Sequence, residues 1–294
     1  MRVAGYFIAL VMFLAAATAA VVFFASQRVL AAEPVPSAEP FRSAGGSIAH
    51  GKHIVSSFGA CTQCHGVDLG GAPMYVSDPA MGTLAASNLT RGSGGIGASY
   101  SDNDFERAIR HGYRPDGTGL LLMPSGAFSH LSDADLRDVI AYIRSVPPVD
   151  RTLPERSIGP VARTLLATGK LRLQSDKVDQ TLVPPATTPE GLTLAHGQYL
   201  VRAGGCMECH GANLAGGHYE GSPSDPAATN ISPAGIGAWS EADFARTLRT
   251  GKDPSGHEID RFMPWPSYGQ MSDDEIATIW TYLRSVPPAT ATGG

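Results

Sequence analysis

The pentapeptide Cys61-Thr62-Gln63-Cys64-His65 constrains this chain more than any other stretch, and it has a second copy, Cys206-Met207-Glu208-Cys209-His210. C-x-x-C-H is the attachment sequence for c-type haem. Two thiols two residues apart reach neighbouring edges of one porphyrin, and the adjoining imidazole lies under the metal. A lone C-x-x-C is weaker and also fits a zinc half-site or a redox pair. Here the two copies consume all four cysteines of the chain, and each is followed by His and then Gly (Gly66, Gly211). A single zinc site built from all four thiolates has no use for either histidine, and a thioredoxin-like pair lacks the βαβ setting. The expectation is therefore two covalently bound haem groups (iron), on Cys61, Cys64 and His65 and on Cys206, Cys209 and His210.

A repeat of roughly 140 residues surrounds the motifs. Ala49-His50-Gly51 answers Ala195-His196-Gly197, Asn88-Leu89-Thr90 answers Asn230-Ile231-Ser232, and Gly95-Ile96-Gly97 answers Gly235-Ile236-Gly237. The matched Asn triplets fit the glycosylation pattern, but their place in a repeat favours a structural role. Serine N-caps with early acids open helices at Ser101 and Ser240 and again at Ser132 and Ser272. Gly112 and Gly251 read as C-terminal stops, and Pro147-Pro148 and Pro287-Pro288 end the last helix of each unit. No strand pattern stands out. Domains are expected at 44–148 and 191–294, joined by a linker at 149–190, with Thr164–Leu171 as a short helix over the domain interface.

Each unit carries Met-Pro ahead of its last helix, at Met123-Pro124 and Met263-Pro264. Thioether sulfur is a soft sixth ligand that raises haem potential. Matched positions favour ligands over core fillers, so the metal ligands are expected to be His65 with Met123 and His210 with Met263. Met74, Met81 and Met271 are weaker candidates. His50 and His196 are repeat-matched but lie on the first helix of each unit, where packing or capping suits them better. His53, His111, His130, His218 and His257 read as surface or loop residues.

Val3 to Ala25 holds no charged residue and is long enough to span a bilayer as a helix. Its length favours a retained anchor (residues 1–28) over a cleaved signal peptide. Residues 29–43 read as an extended tether. The formal net charge of −5 argues against nucleic acid as a partner.

Together these residues resemble two class I c-type cytochrome domains in tandem, and in particular the membrane-bound cytochrome c subunits of bacterial alcohol and gluconate dehydrogenases. The resemblance rests on Asn230-Ile231-Ser232-Pro233, Gly235–Ser240, Met263-Pro264-Trp265 and Tyr282–Pro288, and covers both units. Those subunits usually carry three haems where this chain has two. The resemblance implies an all-α fold after an N-terminal transmembrane helix. It implies that the first and last helices of each domain cross, with Gly51 against Tyr142 and Gly197 against Tyr282. It also implies a dihaem cytochrome c passing single electrons, with no catalytic residues of its own. Its donor would be a periplasmic or membrane dehydrogenase subunit or a quinol-linked protein, and its acceptor a carrier or terminal oxidase. The place implied is the periplasmic face of a bacterial inner membrane. The rival class is a dihaem peroxidase, which needs an open sixth position that Met123 and Met263 would close. A haem-based sensor would need an output domain.

Overall fold

The computed structural model describes residues 2–33, 40–217 and 227–290; His218 lies outside the described residues. An N-terminal helix α1 (Arg2–Val29) precedes two helical units. The first contains α2 (Ile48–Ser56), α3 (Cys61–His65), α4 (Asp102–Glu106), α5 (Ser125–Phe128) and α6 (Asp133–Ser145). After a connecting helix α7 (Pro160–Ala167), the second unit contains α8 (Leu194–Ala203), α9 (Cys206–His210), α10 (Pro233–Ile236), α11 (Glu241–Thr250), α12 (Trp265–Tyr268) and α13 (Asp273–Ser285).

The helix starts follow from their caps. Ser101, Ser240 and Ser272 each form a reciprocal capping box with the acid three residues on, and Ser132 accepts from the Asp135 N–H. Each cap satisfies N–H groups that a helix leaves open at its start. In the first unit α4 continues as a π turn over Arg107–His111 and ends at Gly112 in the left-handed region. Its counterpart α11 stays regular and ends at Gly251 in the same conformation.

First and last helices cross in both units, α2 on α6 and α8 on α13. Glycine is required at the crossing. A Cβ on Gly197 would lie 2.5 Å from both the Thr278 carbonyl oxygen and the Tyr282 Cβ, and one on Gly51 would meet the Asp138 carbonyl and sit 3.0 Å from the Tyr142 Cβ. One apolar core runs through both units, including Ile54, Leu136 and Ile140 from the first and Leu200, Ile276 and Leu283 from the second.

The fold is mostly helical, but the expectation of no strands is corrected. β1 (Ala72–Asp78) and β2 (Gly82–Ala86) form an antiparallel hairpin, and β3 (Ser157–Ile158) adds to β2 through Gly82↔Ile158 and Thr83↔Ser157. These strands are short, are interrupted by Pro73 and Gly82, and lack two-residue alternation. Their pairing comes from tertiary contact, which no local pattern announces. The connecting helix is corrected too. It begins at Pro160 and packs on the end of α1, not over the domain interface. Arg163 donates to the Ser26 hydroxyl at 3.1 Å and sits over the Phe23 ring.

Leu166 and Leu173 close a second apolar cluster with Leu121, Val29 and Leu30. The Glu33 N–H donates to the Gly117 carbonyl, and the Phe41 N–H donates to Asn103 Oδ1 at 2.5 Å. The residues on either side of 34–39 are thus bonded to the first unit. Val3–Val29 is long and apolar enough to cross a membrane, with mean hydropathy 2.7; at 1.5 Å per residue it exceeds the ~30 Å hydrocarbon layer.

Candidate haem sites

Both C-x-x-C-H motifs fold as one short helix, α3 or α9. Helical periodicity places the first cysteine, the second cysteine and the histidine (i, i+3, i+4) on one face. A glycine at φ +77° follows each histidine, Gly66 and Gly211, and turns the chain away at once. No disulfide joins the cysteines. Burial, and then the neighbouring thiol, pushes Cys61 and Cys206 up to about 12.

The two histidines share an orientation device that spacing alone did not reveal. His65 Nδ1 lies 2.8 Å from the Ser87 carbonyl, and His210 Nδ1 lies 2.6 Å from the Thr229 carbonyl. A proton held on Nδ1 leaves Nε2 as the lone-pair donor for a metal. Burial keeps both imidazoles below the ordinary histidine range, in the neutral form that ligates.

The repeat-matched Asn triplets hold those carbonyls in place. Asn88 is buried; its Oδ1 accepts from the Thr90 N–H and hydroxyl, and its amide donates to the Val149 carbonyl at 2.7 Å. Asn230 does the same with Ser232 and the Ala289 carbonyl. The residue before each asparagine is therefore tied to the segment that leaves the last helix. Leu69 and Leu214, both buried, adopt left-handed φ of +53° and +60°. That conformation costs about 1–2 kcal/mol per residue. It aims their carbonyls at the Leu89 and Ile231 N–H groups, so the same triplets are bonded from the motif side.

In the second unit Cys206, Cys209, His210 and Met263 line one cavity of about 750 Å3, with Trp239, Phe244, Ile279 and Leu283 among its walls. Histidine and methionine thus face a shared, mainly apolar space, a donor set and a size that fit a haem. Met271 also lines this cavity and is buried, as Leu131 is at its matched position. Tyr268, another wall, donates to the Gly204 carbonyl at 2.6 Å. In the first unit Met123 and Cys61 pack on the same apolar core. The cavity around Cys206 includes neither Cys61 nor Cys64, so the structure offers no joint four-thiolate site there.

The candidates set aside fall where packing places them. His50 Nδ1 bonds Asp138 at 2.8 Å, and His196 Nδ1 bonds the Gly191 carbonyl at 2.9 Å. His53 and His111 are more engaged than surface residues. His53 reaches Glu275 of the other unit at 2.9 Å, and His111 bonds Glu106 and Gln180. The units also meet at their sites: α5, just after Met123, packs on α8 and α9, and Phe58 of the first unit lines the second-unit cavity.

The cytochrome c family profile matches residues 48–147 and 194–287. This chain belongs to the cytochrome c family and carries two covalently bound haem c groups, one for each matched stretch. It is 31% identical to the fructose dehydrogenase cytochrome subunit of Gluconobacter japonicus, over 84% of this chain and 54% of that one. It is 30% identical to the gluconate 2-dehydrogenase cytochrome c subunit of Pantoea cypripedii, over 78% and 57%. A dihaem c-type cytochrome of Cereibacter sphaeroides is 32% identical over 85% of this chain and 89% of its own length. The chain spans about half the length of the dehydrogenase subunits it matches.

Proposed function

We propose that the chain is a membrane-anchored dihaem carrier of single electrons, with His65 and Met123 as axial ligands in the first domain (44–148) and His210 and Met263 in the second (191–294). The observation that supports this best is the single apolar cavity shared by Cys206, Cys209, His210 and Met263. The haem supplies one-electron Fe(III)/Fe(II) chemistry. The chain's own residues supply ligand choice, orientation and exclusion of water. Thr229 and Ser87 hold the imidazoles, Met123 and Met263 would supply soft sulfur to the iron, and apolar walls would limit rearrangement on reduction.

Haem attachment to c-type cytochromes takes place outside the cytoplasm, which supports single-pass anchoring of α1 in a bacterial inner membrane with the haem domains in the periplasm. The relatives' role as dehydrogenase subunits supports a dehydrogenase as donor. A quinol-linked protein is the other donor of suitable chemistry, and a carrier or terminal oxidase the fitting acceptor.

The ligand assignment is tested by Met123→Ala and Met263→Ala. Each variant is expected to keep two attached haems while one of them turns high-spin and binds one equivalent of carbon monoxide on reduction. A variant whose spectrum matches the parent removes that methionine from the ligand set.

A further inference from the structure

The lead-in to the haem motif is one residue longer in the first unit: Cys61 follows Gly51 by ten positions, and Cys206 follows Gly197 by nine. Turn hydrogen bonds show where the extra residue falls. The Gly59 and Ala60 N–H groups donate to the Ile54 and Ser57 carbonyls, as those of Gly204 and Gly205 donate to the Leu200 and Arg202 carbonyls. Phe58 therefore stands where the second unit has Ala203. Both are buried, but one carries a ring and the other a methyl.

Phe58 reaches the other unit's site. Among the described residues that line the cavity around Cys206, Cys209, His210 and Met263, Phe58 alone comes from the first unit. A Cβ on Gly204 would come within 3.6 Å of both the Phe58 Cβ and its carbonyl oxygen, so the turn ahead of Cys206 lies against Phe58 with no side chain between them. The Tyr268 hydroxyl, a further wall of the cavity, holds the Gly204 carbonyl at 2.6 Å. A Cβ on Gly205 would lie 3.5 Å from the Ala127 Cβ, so a second element of the first unit covers the same turn. The units are tied beside this contact. Tyr199 of α8 donates its hydroxyl to Asp135 at 2.5 Å and accepts from the Ser132 N–H at the start of α6.

We propose that Phe58 forms part of the wall of the second haem site, so that this site is complete only with the first domain in place, and that the borrowed ring raises the second haem's potential by keeping water from it. An oxidised haem carries one positive charge more than a reduced one. An apolar wall disfavours that extra charge, and water beside the haem would stabilise it. Removing the ring leaves a space beside the Gly204 carbonyl and the Tyr268 hydroxyl, the kind of polar partners that let water occupy a cavity. Ala203, at the matching position, has no ring to return to the first unit. The two sites therefore differ in how far each depends on its neighbour, although their motifs are alike.

This inference rests on the dihaem reading with Met263 as a ligand, and one set of titrations separates their failures. Haem is counted on the denatured chain, and the full-length detergent-solubilised holoprotein is titrated with reductant while haem absorbance is followed. Loss of a thioether ligand lowers haem potential, so the wave that drops in Met263→Ala belongs to the second haem. Phe58→Ala is expected to weaken electron binding in that wave by roughly tenfold, about 59 mV for one electron, with the other wave in place. Phe58→Leu, which refills the wall with an apolar side chain, is expected to retain most of the parent value. A second-haem wave unmoved in Phe58→Ala, or moved less than the first-haem wave, overturns the inference and leaves the dihaem carrier standing. An equal drop in Phe58→Leu also overturns it, since that wall still excludes water. If Phe58→Ala does not fold, Phe58→Tyr decides, because it keeps the ring and adds a hydroxyl at the wall. A lowered second-haem wave then supports the inference, and an unmoved one overturns it. A parent protein with no covalent haem, or with both waves indifferent to Met263→Ala, overturns the reading and the inference with it.

Discussion

A handful of positions carry most of the geometry. Gly197 and Gly51 let the first helix of each unit touch the backbone of the last, and in the second unit α9 lines the cavity that follows. Gly197→Ala would place a methyl 2.5 Å from the Thr278 carbonyl oxygen. Such overpacking costs about 1–3 kcal/mol, so thermal unfolding of Gly197→Ala should begin at lower temperature with the haem spectrum intact. An unchanged midpoint would mean that the helices part at no cost. Sequence reading reached these glycines through repeat matching and resemblance. It missed the Ser87 and Thr229 carbonyls, because a carbonyl has no residue identity. The visible sign was the Asn triplet that follows each, its asparagine buried in the first unit and half-buried in the second and bonded inside the fold in both.

At the scale of elements, the capped helices were legible because their signals are local: a serine, an acid three residues on, a glycine or proline stop. The sheet was not, because β3 is two residues long and is a strand only by meeting β2. The contact between units was equally hidden, since His53 and Glu275 are 222 residues apart. The Glu275 hydrogen bond raises the His53 pKa against the opposing effect of burial. Burial alone would raise Glu275, but the bonds from His53 and Ser272 bring it below its usual range. The raised His53 contributes stability fully below its ordinary pKa of about 6.5 and loses it as pH climbs through the folded value. The depressed Glu275 contributes above about 4.3 and loses that as pH falls. The latch is therefore tightest between about pH 4.5 and 6.5. Scanning calorimetry of the parent against His53→Gln should show a stability gap that is wider at about pH 6 than at about pH 9. A gap of equal size at both pH values would assign His53 a packing role.

For the whole molecule, sequence sufficed for two domains, an apolar N-terminal helix and the haem count. It did not show that the connection between domains wraps the first one. The Pro185 and Ala186 carbonyls accept from the first N–H groups of α6, and Gln174 bonds Leu120 and Leu121. The apolar Leu121 thus makes its lasting contact with α7 and the end of α1. The matching loop of the second domain is polar and exposed at Glu258 and Arg261, with Glu258 paired to Lys252 at 3.2 Å. The first domain holds 7 Lys and Arg against 9 Asp and Glu, the second 6 against 11. The more acidic surface suits transient docking of a basic redox protein, which charge steers more than it tightens. Stopped-flow electron exchange with a basic carrier should slow steeply as salt rises. It should slow again in Glu258→Lys with Asp260→Lys, with both haem spectra unchanged, whereas a rate indifferent to salt and to the double substitution would rule this face out.

The account turns on both irons being six-coordinate, since a filled sixth position separates a carrier from a dihaem peroxidase. Carbon monoxide titration of the fully reduced parent protein, followed by visible absorbance, tests that directly. The account predicts little binding at either haem; one equivalent or more bound per chain, with haem attachment intact, would contradict it.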